Sequence, residues 1–341
     1  MTAKYKPIAF AGLLAGTLMC CGCIHLPPAE RPMLSSRPDL SLVGQPDRAR
    51  LDPASVRETE MAVRPHYTLR QIEFSGATQY GAPDSHITLE YFRPLGERLP
   101  VVLILPMSGG NYQVERMFAR FFARHQLAVV IAHRLKWKVD LIPEALDAWF
   151  RQTVFENQLA LDWIETRPEL DADRIALFGI SLGGIRGVLL AATDPRVKAA
   201  VLGLTGGDLP YILAHTTENG IAKKRDEYLR TNCVTVQQFQ ERLRASITAE
   251  PNDFAPAIDP QSVLLVLGVF DHVVPFGKGW ELRRNMGRPE TLLLPTGHYT
   301  AALMIPYIRD QSLRFFQKKF ALPATAPPTL RLASPRGATS S

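Results

Sequence analysis

Ser181, Asp271 and His298 are the residues of this 341-residue chain whose types, order and settings could together do chemistry. Ser181 is the centre of Gly179-Ile180-Ser181-Leu182-Gly183, a Gly-x-Ser-x-Gly pattern that follows an apolar run and precedes small residues where a helix could start. A serine on a strained strand-to-helix turn brings the residues two places either side into close contact, so positions 179 and 183 need glycine. A serine hydroxyl is a weak nucleophile at neutral pH. It needs a histidine to take its proton, and the histidine needs a carboxylate to fix its tautomer and stabilise the imidazolium. Asp271 lies in Gly268-Val269-Phe270-Asp271-His272-Val273-Val274-Pro275, directly after the apolar run 263–267. His298 lies in Pro295-Thr296-Gly297-His298-Tyr299, directly after the run 291–294.

Other residues compete for these roles. Asp208 follows the apolar run that ends near Leu204 and is the best rival acid. His272 adjoins Asp271, while His86, His133 and His215 fall on a strand start, a loop after a strand and a long insertion. A lone histidine in such settings is usually a surface or packing residue. No metal site is expected, because Cys233 and the scattered histidines lack ligand spacing. No dinucleotide cofactor is expected either, since the Gly-x-Gly-x-x-Gly fingerprint is missing. A formal charge of +6 comes from scattered Lys and Arg with no basic run interleaved with aromatics, which argues against a nucleic-acid partner.

A reactive serine requires a rigid frame, and 46% hydrophobic residues can supply one. The stretches 67–74 and 87–91 alternate as half-buried strands separated by Gly81-Ala82-Pro83-Asp84, which predicts an antiparallel N-terminal hairpin. Continuous apolar runs at 101–105, 127–131, 175–178, 197–202, 263–267 and 291–294 predict strands buried on both faces. Amphipathic segments at 112–125 and 143–166 are long enough for crossover helices, so the pattern reads as an α/β fold with a mostly parallel central sheet flanked by helices. The interval 206–261 is too long for a plain loop. Thr235 and Gln238 are spaced as a capping box ahead of Phe239, Leu243 and Ile247, so a helical insertion is expected there, a cap or a structural layer.

The combination resembles the α/β-hydrolase family, and the resemblance covers roughly residues 67–320. The family commonly carries its acid in a Gly-x-x-Asp-x-x-Val-Pro stretch and its base in a Gly-His pair after the last strand; here 268–275 and Gly297-His298 match. The resemblance implies Ser181 as nucleophile, Asp271 as acid and His298 as base. It also implies an oxyanion hole built from the N–H of Leu182 and a second N–H in the loop Leu105-Pro106-Met107-Ser108-Gly109-Gly110-Asn111. The His-Gly start common in lipases and esterases is replaced by Pro106-Met107, and the choice between Met107 and Ser108 stays open. The expected activity is hydrolysis of an acyl bond, foremost a carboxyl ester, on a small-molecule substrate. Peptide or thioester cleavage, acyl transfer, or a non-catalytic binding protein of the same fold remain as alternatives.

The N-terminus carries a second signal. Lys4 and Lys6 precede an apolar stretch from Ile8 to Met19, closed by Cys20-Cys21-Gly22-Cys23. This is the layout of an export signal, too short to span a bilayer as a helix of about 20 apolar residues. It resembles a bacterial lipoprotein signal, which implies lipid attachment at Cys23, or alternatively Cys21, and a membrane-anchored exported protein on the periplasmic side of an outer membrane if the source has one. Residues 24–65, rich in Pro, Arg, Asp and Ser, are expected to be a flexible tether, residues 66–321 the hydrolase-like domain, and residues 322–341 a disordered tail. The oligomeric state is not written in these patterns.

Overall fold

The computed structural model describes residues 22–29, 50–76, 80, 86–135 and 142–322. The signal-like segment through residue 21, including Cys21, the turn at 81–84 and the tail from 323 onward lie outside them.

The frame is one ten-stranded sheet. Its strands are β1 (Ile24–Leu26), β2 (Arg57–Arg64), β3 (Tyr67–Ser75), β4 (His86–Pro94), β5 (Leu99–Leu105), β6 (Ala128–Ala132), β7 (Leu170–Ile180), β8 (Val197–Gly203), β9 (Val263–Gly268) and β10 (Glu290–Leu294). They run in the order β1-β10-β9-β8-β7-β5-β6-β4-β3-β2. Neighbouring strands from β6 through β5, β7, β8 and β9 to β10 are parallel. The expected hairpin is β3 against β4, antiparallel with Tyr67 opposite Pro94 and Ser75 opposite His86, and β4 joins the parallel part antiparallel to β6. The central runs are continuous in apolar residues because both faces are covered: every residue of β5 and of β9 is buried.

The crossover helices α1 (Gln113–Arg124) and α2 (Pro143–Glu165) lie where the two amphipathic segments predict them, and α3 (Leu182–Thr193) starts directly after Ser181, where the small residues allow a helix. The interval 206–261 is helical, with α4 (Leu209–His215), α5 (Asn219–Thr231), α6 (Val236–Ser246) and α7 (Pro251–Phe254). The Thr235–Gln238 capping box forms at the start of α6. Phe239, Leu243 and Ile247 are buried in the same core as β5 and β7, so this part of the insertion is a layer of the main core. Two helices complete the fold, α8 (Phe276–Asn285) and α9 (Ile305–Phe320), the latter packing Ile308, Leu313, Phe315 and Phe316 against the opposite face of the sheet.

The tether reading of 24–65 needs correction in its described parts, 24–29 and 50–65; residues 30–49 lie outside the described residues. β1 pairs antiparallel with β10, with Ile24 opposite Leu293 and Leu26 opposite Thr291. β2 forms the other edge of the sheet on β3, and buried Leu51 donates its N–H to Asp162. The sequence hides these strands because they are edges. β2 reads Arg-Glu-Thr-Glu-Met-Ala-Val-Arg, charged and almost wholly exposed, which protects an edge from pairing with another chain but erases the apolar alternation.

Candidate active site

Ser181 stands at the end of β7 with φ 57° and ψ −123°, in the left-handed half of backbone space that residues with a Cβ rarely occupy. Its N–H donates to the Gly203 carbonyl at 2.8 Å, which pins the turn to the neighbouring strand. The two glycines of the motif are forced by backbone contact. A Cβ at Gly179 would stand 2.4 Å from the Gly183 oxygen, and one at Gly183 would stand 2.0 Å from the Leu105 oxygen. The turn therefore sits against the end of β5, beside the loop at 106–111.

Asp271 and His298 arrive from the ends of β9 and β10, which lie beyond β8 on the same side of β7. The Asp271 carboxylate is buried; one oxygen accepts the N–H groups of Val273 and Val274 at 2.9 and 3.0 Å. Its other oxygen lies 2.7 Å from His298 Nδ1, and His298 Nε2 lies 3.0 Å from Ser181 Oγ. Because an ionised carboxylate only accepts, the proton on Nδ1 points to Asp271 and leaves Nε2 as acceptor for the serine hydroxyl. Three residues picked from separate strand ends thus form one continuous hydrogen-bonded chain.

Asp208, His133, His215 and His86 are engaged elsewhere. Asp208 caps α4 through Tyr211 N–H and pairs with Arg244 at 2.9 Å and Lys278 at 2.6 Å. His133 stacks on Tyr112 and bonds Glu90, His215 stacks on Tyr211, and His86 lies 3.5 Å from Glu73.

The loop after β5 resolves into two clamped peptide units. Glu115, buried on α1, accepts the Met107 N–H at 3.0 Å, and the carbonyl of the same peptide unit, that of Pro106, accepts from Arg186 on α3. The next unit is held from outside: the Met107 carbonyl accepts from Arg134 at 3.0 Å, as do the carbonyls of Gly109 at 2.5 Å and Gly110 at 2.6 Å. A trans peptide points its N–H opposite to its C=O. Arg134 therefore turns the Ser108 N–H away from itself, while the Met107 N–H is already spent on Glu115. Leu182, the first residue of α3, carries its N–H at a helix N-terminus, where amides have no intrahelical acceptor.

Sequence reasoning does not find Glu115, Arg134 or Arg186. Arg186 gave the one usable signal, a guanidinium within the otherwise apolar Leu-Gly-Gly-Ile-Arg-Gly-Val-Leu-Leu. It is wholly buried, and that burial, with the Arg134 charge, pulls its pKa down to about 10, against the pull of Tyr112, Glu115 and Glu156. It still carries its charge at neutral pH. Arg134 in turn stacks on Tyr112, with its guanidinium carbon 4.5 Å from the ring centroid, and Tyr112 stacks on His133. Glu90 closes this network through Arg116 at 2.5 Å and His133 at 2.8 Å.

A cavity of about 190 Å³ opens at Ser181 and His298. Its wall is mainly apolar, from Val114, Ile180, Leu204, Ala301, Ile305 and Ile308, with Met107 and Ser108 on one side and Glu218 and Tyr299 at the insertion side. Among the described residues no group of three or more His, Cys, Asp or Glu side chains is arranged to hold a metal ion.

No protein-family model matches this sequence, and no curated protein is similar to it in sequence. Solved structures are similar in fold. An acetyl xylan esterase from Paenibacillus sp. R4 superposes with a TM-score of 0.60 at 18% identity, covering 82% of this chain and 96% of that one. Acetyl xylan esterase 1 from Thermoanaerobacterium sp. gives 0.57 at 18% identity, covering 76% and 88%. The 2,6-dihydroxy-pseudo-oxynicotine hydrolase gives 0.55 at 16% identity, covering 75% and 70%. At these identities the likeness concerns architecture, and the architecture is the α/β-hydrolase fold.

Proposed function

We propose that this chain is a serine hydrolase that cleaves a carboxyl ester of an apolar acyl group through an acyl-enzyme intermediate. The observation that carries the proposal is the unbroken chain Asp271–His298–Ser181, with spacings of 2.7 and 3.0 Å, at the mouth of an apolar cavity. His298 Nε2 takes the Ser181 proton as Oγ attacks the ester carbonyl, and Asp271 stabilises the resulting imidazolium. The tetrahedral oxyanion accepts the N–H groups of Leu182 and Ser108, and the positive end of α3 adds to its stabilisation. His298 then passes its proton to the departing alkoxide. In the second half a water molecule gives its proton to the same Nε2, attacks the acyl carbon, and the acid leaves as Ser181 regains its proton. The fold neighbours support the reading because two of those described act on acetyl esters by name. The cavity exceeds what an acetyl group fills, so the preferred acyl group is longer.

Turnover of p-nitrophenyl esters of graded acyl length tests this reading. The expected result is hydrolysis with an optimum above acetyl that disappears in Ser181→Ala; no turnover at any length contradicts it. The N-terminal sequence supports export and lipid attachment at Cys23, with Cys21 as the alternative. Metabolic labelling with palmitate, lost in Cys23→Ser but retained in Cys21→Ser, tests the assignment.

A further inference from the structure

The position of Cys23 in the fold has a geometric consequence. Because Ile24 pairs with Leu293 and the two strands are antiparallel, Cys23 lies level with Leu294 at the C-terminal end of β10. It is half-buried against the sheet, and Gly22 sits against Pro295. The chain is thus fixed into the sheet immediately after Cys23, four residues of β10 and its loop away from His298. An anchor at Cys23 has no slack with which to swing the domain.

The same rim gathers large apolar side chains that are exposed. Val269 and Phe270, in the loop after β9, are 37% and 62% exposed, and Tyr299 and Leu303, after β10, are 65% and 67% exposed. These are four of the nine large apolar side chains left exposed among the described residues, gathered in the two segments that follow β9 and β10. The segments are joined: Val269 N–H donates to the Leu294 carbonyl and Phe270 N–H to the Thr296 carbonyl, at 2.9 and 3.0 Å. Tyr299 also lines the cavity, so the patch adjoins its opening on one side. Contiguous exposed apolar side chains around a binding cavity mark a surface that something covers.

We propose that Val269, Phe270, Tyr299 and Leu303 form a bilayer-docking rim, held on the membrane by the anchor at Cys23, so that the cavity opens onto lipid and draws its acyl ester from it. The proposal rests on the hydrolase reading for the substrate and on the lipoprotein reading for the anchor. A protein partner is the poorer occupant: a stable protein interface takes about 800 Å² and about 20–30 residues from each side, more than the four side chains exposed here. A bilayer needs only a few inserted side chains, since stable membrane attachment comes from two weak signals acting together, here an acyl anchor and an apolar rim. Glu218 stands at the same mouth, so an anionic headgroup gains nothing there and zwitterionic lipid suffices.

The full-length lipidated protein, reconstituted into phosphatidylcholine vesicles containing acyl-brominated lipid, gives the test. Tryptophan is introduced as Leu303→Trp at the rim or as Leu95→Trp, exposed between β4 and β5 at the other end of the sheet. The emission added at 303 should fall about twofold or more while that added at 95 is unchanged. Equal quenching at both positions, or none at either, overturns the proposal, as does a shifted emission at 303 without quenching, which would mean a protein covers the rim. In a second measurement Phe270→Ser combined with Leu303→Ser should cut turnover of a long-chain ester dissolved in the vesicles about tenfold, with p-nitrophenyl butyrate turnover unchanged. Unchanged turnover of both esters overturns it. Quenching does not depend on catalysis, so failure of the hydrolase reading shows separately as loss of p-nitrophenyl butyrate turnover by the parent protein.

Discussion

Arg134 donates a 3.0 Å hydrogen bond to the carbonyl of Met107, and through that peptide unit it fixes the direction of the Ser108 N–H. A charged donor on the carbonyl also polarises the amide, making its N–H a stronger donor toward the oxyanion of the proposed reaction.

Arg134→Met should therefore act on the transition state. Removing a whole oxyanion donor costs about 10²–10³ in kcat, and misdirecting one is expected to cost about 10–100. Steady-state kinetics on a p-nitrophenyl ester should show kcat falling with KM little changed, and Arg134→Lys, which cannot fork across the three carbonyls, should recover only part. A rise in KM at constant kcat would point to substrate binding instead.

Gly183→Ala should fail for a backbone reason. The added Cβ lands 2.0 Å from the Leu105 oxygen, and neither strand end can retreat without moving the loop that follows β5. Overpacking of this kind costs about 1–3 kcal/mol or more. A lower urea midpoint together with lost esterase activity is the expected outcome, whereas wild-type stability would show that the turn is looser than these contacts imply.

The Glu90 network sets an acid limit. Burial would raise the Glu90 carboxyl, but hydrogen bonds and charges from Arg116 and His133 outweigh it and hold it at about 2, below its ordinary 4.5. A carboxyl depressed in the folded state contributes stability that is complete above its unfolded value and is lost as pH falls through the folded one. Urea unfolding followed from pH 5 to 2 should show this loss, and Glu90→Gln should flatten the slope within that window and be less stable than the parent at pH 7.

Much of this was legible in the sequence, and what escaped did so for separate physical reasons. The buried parallel strands are legible because both faces demand apolar residues, which is why runs such as 263–267 and 291–294 locate Asp271 and His298 at strand ends. The Thr235–Gln238 capping box is legible because it is local. β1 and β2 are not, since β1 has three residues and β2 mixes charged and apolar residues on an almost wholly exposed edge. The choice between Met107 and Ser108 depends on where the side chains of Glu115, Arg134 and Arg186 point across three elements. Spacing along the chain carries no trace of that.

Cavity size should govern acyl preference. Ile305 lines the wall at the start of α9 and is only half-buried, so a larger side chain can enter the cavity without displacing the core. Ile305→Trp should move the optimum of a graded p-nitrophenyl ester series toward acetyl. Each excluded methylene is worth about 10-fold or more in relative kcat/KM. An unmoved optimum would place the acyl group elsewhere.

The most direct test of the central claim is the mass of the protein after exposure to a fluorophosphonate. The account predicts one adduct, mapped to the peptide containing Ser181, absent in Ser181→Ala and formed far more slowly in His298→Ala. An unmodified parent protein, or an adduct that persists in Ser181→Ala, would contradict it.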